Sequence, residues 1–480
     1  DVRVVKRLLT EFDLIFVGPR TSIGDMYLGP LYYYLIAPFL WLWRFSPTGP
    51  AVFIALLGVV IVWFVWFIAR EWFGKVAALT SSFLFAISPV VISLSKHSWN
   101  PNIMPFFSLL TIYGIWRVWQ KRQFWWLVVV GISFAFVLQS HYLGLLLLPT
   151  IVLFWLLAVK SVWRNSKERF YALRFTFYAL AIFAILMSPL FIFDAKHGWR
   201  NISSMKQFFA ERQTTVSARP WSAAPMLWPL WNEQVTSRLL AGKNREAGKW
   251  LGLVTVAGIA WVGYKFYKRS LQSRRLYKTH DLRLPNFLFL GTWTLVGLVG
   301  LGLYKQHIYD HYLGFIFAVP FLLVGAVFQE LWNTKLKVVG LVLLLVLAWI
   351  SLQENPLKYS PNRQLQRVQE IDRRIIEEAG GQPFNFGLIA ERNYEEGYLY
   401  FFELWGVRVL QIDPQRYEET RTSQLFVVCE DQKKPDEPDP CNPINHRKAE
   451  IANFGWSKIE DSWEVAGVKL FKLVLAEQKE

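Results

Sequence analysis

Three short polar clusters interrupt a strongly apolar sequence, at residues 96–102, 139–142 and 305–312. Each cluster contains at least one His, and imidazole can donate a hydrogen bond to phosphate, ligate a metal or shuttle a proton. Lys and Tyr side chains beside it can bind phosphate oxygens. The clusters together therefore indicate a site for a phosphate-bearing ligand, whereas each residue taken alone could be an anchor at a membrane interface.

We select candidate site residues from these clusters and from the first loop. Asp310 is a candidate catalytic residue, because it could take a proton, orient His311 or help to hold a metal. Asp1 is a weaker candidate for the same role. The candidate substrate-binding residues are Arg20, Tyr27, Asn100, Asn102, Gln139, His141, Tyr142, Lys305, His311 and Tyr312. The sequence has no zinc-type ligand spacing, so the need for a divalent cation is left open.

The composition excludes several classes of protein. Of the 480 residues, 53% are hydrophobic, 17% are aromatic and 18% are charged, and only two are Cys. Such a chain is neither disordered nor a disulfide scaffold, and a soluble single domain with this much surface Trp and Phe would aggregate. The formal net charge is +16, but the basic excess lies between apolar runs within residues 1–351. This placement does not fit the basic surface of a nucleic-acid-binding protein.

Ten apolar segments are predicted to cross a bilayer as helices, for which about 20 residues each are needed. They are Pro50–Arg70, Val76–Ser95, Ile103–Trp119, Phe124–Gln139, Tyr142–Val159, Ala172–Phe193, Trp250–Tyr267, Asn286–Tyr304, Tyr312–Trp332 and Leu336–Gln353. One set of alternating links is rich in Lys and Arg, whereas the short links of the other set carry only Lys96 and Lys305. By the positive-inside rule the basic set faces the cytoplasm, so all three polar clusters lie on the external side.

The same topology places residues 1–49, the loop 194–249 and the tail 354–480 outside the cell membrane. Residues 1–12 have the period of an amphipathic helix, and Leu28–Trp43 is apolar but short for a span, so both are predicted to lie along the membrane surface. Leu28–Trp43 could instead be an eleventh span, but this alternative would invert the charge pattern of every later link.

The tail is predicted to be a small α/β domain. Helices are expected over Arg363–Ala379 and Tyr394–Trp405, and strands over Asn385–Ala390, Val407–Ile412, Gln424–Cys429 and Val468–Val474. Acceptor recognition and lid packing are both open roles for this domain. Its residues Cys429 and Cys441 could form a disulfide in an external compartment, and two free thiols are the alternative.

The order and spacing of five short motifs resemble those of the GT-C superfamily of polytopic glycosyltransferases, near its aminoarabinose transferase and protein O-mannosyltransferase branch. The motifs are DVRVVKRLL at residues 1–9, LGPLYYY at 28–34, AREWFG at 69–74, LQSHYLGLLLLP at 138–149 and HYLGFIFAVP at 311–320. The resemblance implies a sugar donor on a polyprenyl-phosphate carrier and a catalytic carboxylate near the start of the first external loop. Aligning that loop on residues 2–9 places this carboxylate ahead of Asp1, so we expect a further acid and an apolar helix upstream.

Two departures from the family pattern affect the site. An acid common in the second external loop is replaced by the amides Asn100 and Asn102, which can hold a ligand but cannot act as a base at neutral pH. Where relatives carry a Lys in the third loop, this chain has His141. A phosphate-facing role survives that change, and we expect it to become sensitive to pH.

The sequence therefore predicts an α-helical polytopic membrane protein of the cytoplasmic membrane with a C-terminal extracytoplasmic α/β domain. We expect it to move a sugar from polyprenyl phosphate to an extracytoplasmic acceptor, such as an envelope lipid, polysaccharide or protein. One alternative is a transporter or flippase of lipid-linked sugars with an external sensor domain, and another is a scaffold for envelope assembly. A transporter is less favoured, because the sequence shows no internal repeat and its span interiors carry almost no charge.

Overall fold

The computed structural model describes residues 1–21, 26–211, 214–275, 282–391, 393–431, 439–444 and 446–476. The chain divides into two compact units, Asp1–Lys358 and Tyr359–Glu480. The first unit is helical, and the second is built around one sheet. The division falls shortly after the last predicted span, where the apolar sequence gives way to a polar one.

Long helices make up most of the first unit. Those of ten or more residues are Val2–Glu11, Leu31–Leu42, Thr48–Trp72, Lys75–Ile87, Met104–Lys121, Trp126–Ser140, Leu148–Val162, Ser166–Lys196, Arg200–Ala210, the π-helix Leu230–Leu240, Arg245–Arg275, Arg283–Leu303, Ala318–Trp332 and Lys337–Gln353. Shorter helical segments are Pro89–Leu94, Asn100–Ile103, Tyr142–Leu147, Pro220–Met226, Leu227–Pro229, Asp310–Ile316 and Pro356–Lys358. Helices suit apolar sequences of this kind, because each satisfies its own backbone hydrogen bonds where no water is available.

All ten predicted spans are helical, although several are shorter than a bilayer or are interrupted. Within the described residues, four helices are long and apolar enough to cross a membrane, namely Thr48–Trp72, Tyr142–Val162, Ser166–Lys196 and Arg283–Leu303. The pair Asp310–Ile316 and Ala318–Trp332, bent by 57°, brings this to five if it is one span. The helical, membrane-protein character is thus confirmed, and the count of ten spans stays a prediction.

Short 3-10 turns precede three of the helices at the positions of the polar clusters. They are Asn100–Ile103, Tyr142–Leu147 and Asp310–Ile316. Pro105 and Pro149 stand at the first turn of the α-helices that follow the first two. Proline lacks an N–H and fixes its own φ, so the first turn of a helix is where it is tolerated best. The polar side chains therefore lie at helix starts, where they can approach one another.

The two helices predicted ahead of the first span are present as Val2–Glu11 and Leu31–Leu42. Val5 on the first helix is fully buried. The Tyr33 hydroxyl on the second helix donates a hydrogen bond to the Asp1 carboxylate at 2.9 Å. The two helices are therefore packed together, and their position in the membrane surface stays a prediction.

The second unit contains a four-stranded sheet with the order β1-β2-β4-β3. Its strands are β1 (Asn385–Ile389), β2 (Gln424–Cys429), β3 (Ser457–Val465) and β4 (Val468–Leu475), and its helices are Gln364–Ala379, Glu396–Leu404, Pro414–Arg416, Tyr417–Thr420 and Ala449–Phe454. Strands β1 and β2 are parallel, and the other two pairings are antiparallel. Every residue of β1 and β2 is buried, which explains their continuous apolar sequences.

Three features of this unit either differ from the sequence-based expectation or decide between its alternatives. The predicted strand Val407–Ile412 is wrong, because only Val409 pairs there, through a single bridge to Phe384. Strand β3 was not expected from the sequence. Most of its residues are exposed, and the alternation of Ile459, Trp463 and Val465 with polar residues is broken at Asp461, where the register shifts. The predicted disulfide between Cys429 and Cys441 is confirmed, with Cα atoms 5.5 Å apart.

Candidate active site

The three polar clusters come together around one cavity of about 510 Å³ in the first unit. Its polar lining residues are Arg20, Thr21, Trp99, Asn100, His141, Tyr142, Tyr304, His311 and Tyr312. Most of the remaining lining is apolar and includes Leu145, Leu146, Phe208, Phe209 and Leu303. The cavity thus combines a long apolar wall with one polar region.

Aromatic contacts join the clusters to one another. The His141 ring lies 5.8 Å from that of His311 and 4.5 Å from that of Tyr312, measured between ring centroids. Trp99 of the first cluster lies 4.4 Å from His311. Side chains up to about 200 positions apart in sequence therefore form one continuous surface on the cavity wall.

His141 is held as a neutral imidazole with a defined tautomer. The Leu143 N–H donates to His141 Nδ1 at 3.1 Å, so the ring proton resides on Nε2. Burial, and secondarily the nearby His311, lower the pKa of His141 to about 3. The ring can therefore donate a hydrogen bond into the cavity without carrying charge. The expected pH sensitivity of His141 toward a phosphate-bearing ligand stays a prediction.

A clamp of hydrogen bonds attaches the first loop to the cavity wall. The Tyr142 hydroxyl donates to the Tyr27 carbonyl at 2.5 Å. The Asn201 side chain accepts from the Tyr27 N–H at 2.6 Å and donates to the Tyr27 carbonyl at 2.9 Å. Asp194 holds Asn201 in turn, by accepting from the backbone N–H groups of Asn201 and Ile202 at 2.6 and 3.1 Å. Tyr27 is thus bound through its backbone.

Asn201 positions the Tyr27 backbone, and Asp194 positions Asn201. The sequence does not reveal that either residue acts on Tyr27. The 174 positions between Tyr27 and Asn201 leave no local signal of this contact. A local signal does exist for Asp194, a carboxylate placed shortly before a helix start at Arg200. Asp194 lies in the last turn of Ser166–Lys196 rather than at the N-cap position, and its carboxylate accepts from free N–H groups in the first turn of the next helix.

The three candidate amides have different roles. Asn100 lines the cavity and donates to the Ser140 carbonyl at 2.9 Å, which joins the first cluster to the second. Asn102 lies outside this cavity and donates to the His97 carbonyl at 2.9 Å. Gln139 is buried, accepts from the Leu31 N–H at 3.1 Å and donates to the Leu186 carbonyl at 2.8 Å. Asn102 and Gln139 therefore hold the fold rather than line the cavity.

Asp310 lies behind the cavity in an ion triad. Its carboxylate oxygens are 3.0 Å from Arg238 and 2.8 Å from Lys243. Arg238 also donates to the Ile308 carbonyl at 2.9 Å. Because His311 follows Asp310 directly, the triad fixes the segment that carries this His. This geometry suits Asp310 to a positioning role, and its catalytic role stays a prediction.

The last two candidates, Asp1 and Lys305, are also away from this cavity. Asp1 receives the Tyr33 hydroxyl on the first helix. Lys305 lines a second cavity nearby, which shares Tyr304 with the first. The structure therefore brings together Arg20, Asn100, His141, Tyr142, His311 and Tyr312, and separates them from Asp1, Asn102, Gln139, Lys305 and Asp310.

The donor set around the cavity does not fit a resident metal ion. Its described lining residues include two His and no carboxylate, and the Nδ1 atom of His141 already accepts a hydrogen bond. Across the described part of the chain, no group of three or more His, Cys, Asp or Glu residues is placed to hold a metal. We therefore assign no step to a metal.

The first unit is helical, and its cavity is bordered by polar residues at the starts of helices, as in the GT-C fold. Comparison with solved structures confirms this fold. The ArnT structure from Cupriavidus metallidurans bound to undecaprenyl phosphate matches with a TM-score of 0.56 at 10% identity, over 98% of this chain and 92% of that chain. The archaeal oligosaccharyltransferase AglB from Archaeoglobus fulgidus, in complex with an inhibitory peptide and a dolichol-phosphate, matches with a TM-score of 0.50 at 14% identity. That match covers 89% of this chain and 64% of AglB.

Sequence comparison points to the same group of proteins. Residues 28–192 match the family described as dolichyl-phosphate-mannose-protein mannosyltransferase. The putative mannosyltransferase YkcB of Bacillus subtilis (strain 168) is 29% identical over 111 residues, which are 22% of this chain and 15% of YkcB. The alignment thus spans a small part of that relative. The predicted resemblance to GT-C membrane glycosyltransferases is confirmed by the family match and the shared fold.

Proposed function

We propose that this protein is a membrane glycosyltransferase that moves a sugar from a polyprenyl-phosphate donor to a hydroxyl group of an extracytoplasmic acceptor. The observation that carries the proposal is the cavity of about 510 Å³, in which an apolar wall meets a polar region that includes Arg20 and His141. A lipid-linked sugar has the same two parts, an isoprenoid chain and a phosphosugar head. Relatives of the same fold are described as complexes with undecaprenyl phosphate and with dolichol-phosphate, which supports this donor class.

Each end of the cavity suits one part of such a donor. Leu145, Leu146 and Leu303 offer apolar surface to the isoprenoid chain. At the polar region, the neutral His141 ring and the Arg20 side chain would contact the phosphate oxygens. Hydrogen-bond donors aimed at a leaving phosphate stabilise the charge that develops as its bond to the sugar breaks.

The proposed reaction exchanges one bond at the anomeric carbon of the sugar. The bond to the phosphate oxygen breaks with its electron pair remaining on the phosphate, and a bond to the acceptor oxygen forms. The hydroxyl proton ends on the departing polyprenyl phosphate, directly or through a carboxylate. The resemblance implies that this carboxylate belongs to the first external loop.

We place the reaction on the external face of the cytoplasmic membrane. The basic links lie at the opposite ends of the helices from the three polar clusters, as the positive-inside rule requires. The tail unit is then extracytoplasmic, and its disulfide fits an oxidising compartment. The flippase alternative has no comparable observation in its favour.

The test is transfer of label by the purified full-length protein in lipid nanodiscs. Decaprenyl-phosphate sugars carrying labelled mannose, glucose or arabinose are incubated with an envelope fraction, and label that leaves the lipid-soluble fraction is counted. His141→Phe keeps the ring volume but removes the donor, and transfer is expected to fall by about 100-fold.

His97→Phe is the matched control, because His97 belongs to the first cluster but does not line the cavity. It should retain transfer close to that of the unmodified protein. Equal losses in the two variants would contradict the proposed site. Absence of transfer from every donor tested would contradict the proposed function.

A further inference from the structure

A second cavity of about 840 Å³ adjoins the first one and has a different chemical character. It lies between the loop segment that contains Ser217–Gln234 and the segment from Leu301 to Ile308. Its lining includes the side chains of Arg219, Glu233, Gln234, Lys305 and His307. Nothing in the proposed donor chemistry uses these groups.

A short backbone ladder forms the wall between the two cavities. Val216 and Tyr304 form an antiparallel bridge, and hydrogen bonds of 2.9 Å run from the Ser217 N–H to the Leu303 carbonyl and from the Lys305 N–H to the Thr215 carbonyl. Tyr304 lines both cavities. The two cavities therefore adjoin at Tyr304, where ligands bound in them would come nearest to each other.

The polar groups of the second cavity suit a ligand with both negative charge and hydroxyl groups. Arg219 and Lys305 contribute two cations against the single carboxylate of Glu233. Gln234 lines the same cavity, and a side-chain amide can both donate hydrogen bonds to hydroxyl groups and accept them.

We propose that the second cavity is the acceptor site, and that the acceptor is a saccharide bearing phosphate or carboxylate groups; this inference rests on the transferase function proposed above. Cations at the cavity bind the acidic groups of the acceptor, and Glu233 and Gln234 bind its hydroxyl groups. The reacting hydroxyl approaches the donor beside Tyr304. The two cavities thus separate the apolar substrate from the polar one.

Binding of simple saccharide probes tests this proposal without relying on transfer. The dissociation constants of methyl glucoside, methyl glucuronide and methyl glucoside 6-phosphate are measured for the full-length protein in nanodiscs of neutral lipid. We expect both acidic probes to bind about tenfold more tightly than the neutral one. The double variant Arg219→Gln/Lys305→Gln should lose this preference and still bind decaprenyl phosphate.

Two controls separate the second cavity from the first and from the general charge of the loop. Lys206→Gln removes an exposed cation of the same loop that lines neither cavity, and it should keep the preference. His141→Phe should keep it as well. Loss of the preference in either control, or its persistence in the double variant, would overturn the proposal.

The outcome also distinguishes this inference from the proposed function. An active transferase that binds acidic and neutral probes equally would overturn the acidic acceptor and leave the transferase function standing. A protein that prefers acidic probes but transfers no sugar from any donor would overturn both the acceptor role and the function.

Discussion

Glu330 in the first unit and Asp372 in the second are both fully buried carboxylates with opposite surroundings. Glu330 lies 3.0 Å from Lys265, 2.7 Å from Arg269 and 3.5 Å from Arg283, which belong to two other helices. Asp372 lies on the buried face of Gln364–Ala379, and neither of its carboxylate oxygens has a hydrogen-bond partner among the described residues.

The difference shows that burial alone does not determine whether an acidic group is charged. Glu330 is compensated by cations and joins three helices, so it can remain charged. Asp372 has no such compensation, and burial raises its pKa to about 9. It therefore carries a proton at neutral pH. Asp310 beside the candidate active site is intermediate, because it is paired but only partly buried.

The largest effect is expected from removing the charge of Glu330. Glu330→Gln leaves three cations without their shared carboxylate, which should lower the free energy of unfolding by about 3–5 kcal/mol. Unfolding of the protein in mixed detergent micelles measures this change. Glu354→Gln, at an exposed position in the same unit, should change the stability little. If Glu330→Gln and Glu354→Gln changed the free energy of unfolding equally, Glu330 would not be the compensated buried charge that distinguishes it from Asp372.

The next largest effect is a pH dependence of the stability of the second unit, which Asp372 causes. Its pKa rises from 3.8 to about 9 on folding, so the folded unit binds more protons between these values. Its stability is therefore greatest at low pH and should fall by about 1.4 kcal/mol per pH unit as pH rises through this range. Hydrogen exchange of β1 and β2 in the full-length protein, from pH 5 to 8, measures the slope. The Asp372→Asn variant should show a smaller change of stability with pH. An unchanged slope would mean that another group causes the pH dependence.

A smaller effect is expected from replacing Asp372 with an apolar residue at a fixed pH of 7. Asp372→Leu removes a buried carboxyl without partners and should raise the stability of the unit by about 1–3 kcal/mol. The same exchange measurement detects this gain. Glu377→Leu, at an exposed position on the same helix, is the control and should give no comparable gain. Destabilisation by Asp372→Leu would show that the carboxyl has a binding partner in solution.

The smallest effect on stability is expected at Asp310. Asp310→Asn weakens two ion pairs that are partly exposed, so it should cost about 1 kcal/mol. Sugar transfer should fall by about tenfold, because the segment that carries His311 loses its anchor. Asp310→Glu keeps the charge and should restore most of the transfer. Loss of transfer by more than 1,000-fold in both variants would instead make Asp310 catalytic.

The sequence predicts the apolar helices of the first unit and two helices of the second, because apolar runs and helical periodicity act locally. It misses the polar helices Arg200–Ala210 and Ala449–Phe454, and it misses β3, an exposed strand that is held by β4 and whose alternation is broken at Asp461. It also marks Val407–Ile412 as a strand, although that segment makes only one bridge. The period of apolar residues indicates which side chains are buried, but it does not indicate which backbone segments pair as strands.

The sequence predicts which types of residue form the candidate site, but it identifies only some of the individual residues. The three clusters do meet, because all of them lie at helix starts on the same side of the unit. Gln139 has the same chemistry as the residues that line the cavity, but its amide is used to hold the start of Leu31–Leu42. A side chain at Gly29 would collide with that amide, which shows how closely the two elements approach. Such long-range pairings have no local signature in the sequence.

The clamp on Tyr27 has a consequence for which residues can occupy that position. Asn201 contacts only the N–H and carbonyl of Tyr27, so the clamp recognises the main chain and is indifferent to the side chain attached to it. The Tyr27 ring packs edge-on against Phe193, with centroids 5.8 Å apart, so aromatic substitutions at position 27 should be tolerated, whereas proline should not because it lacks the N–H. Position 27 is accordingly suited to carry an aromatic fluorescent or cross-linkable residue, as a reporter of what enters the cavity that Met26 and Leu28 line.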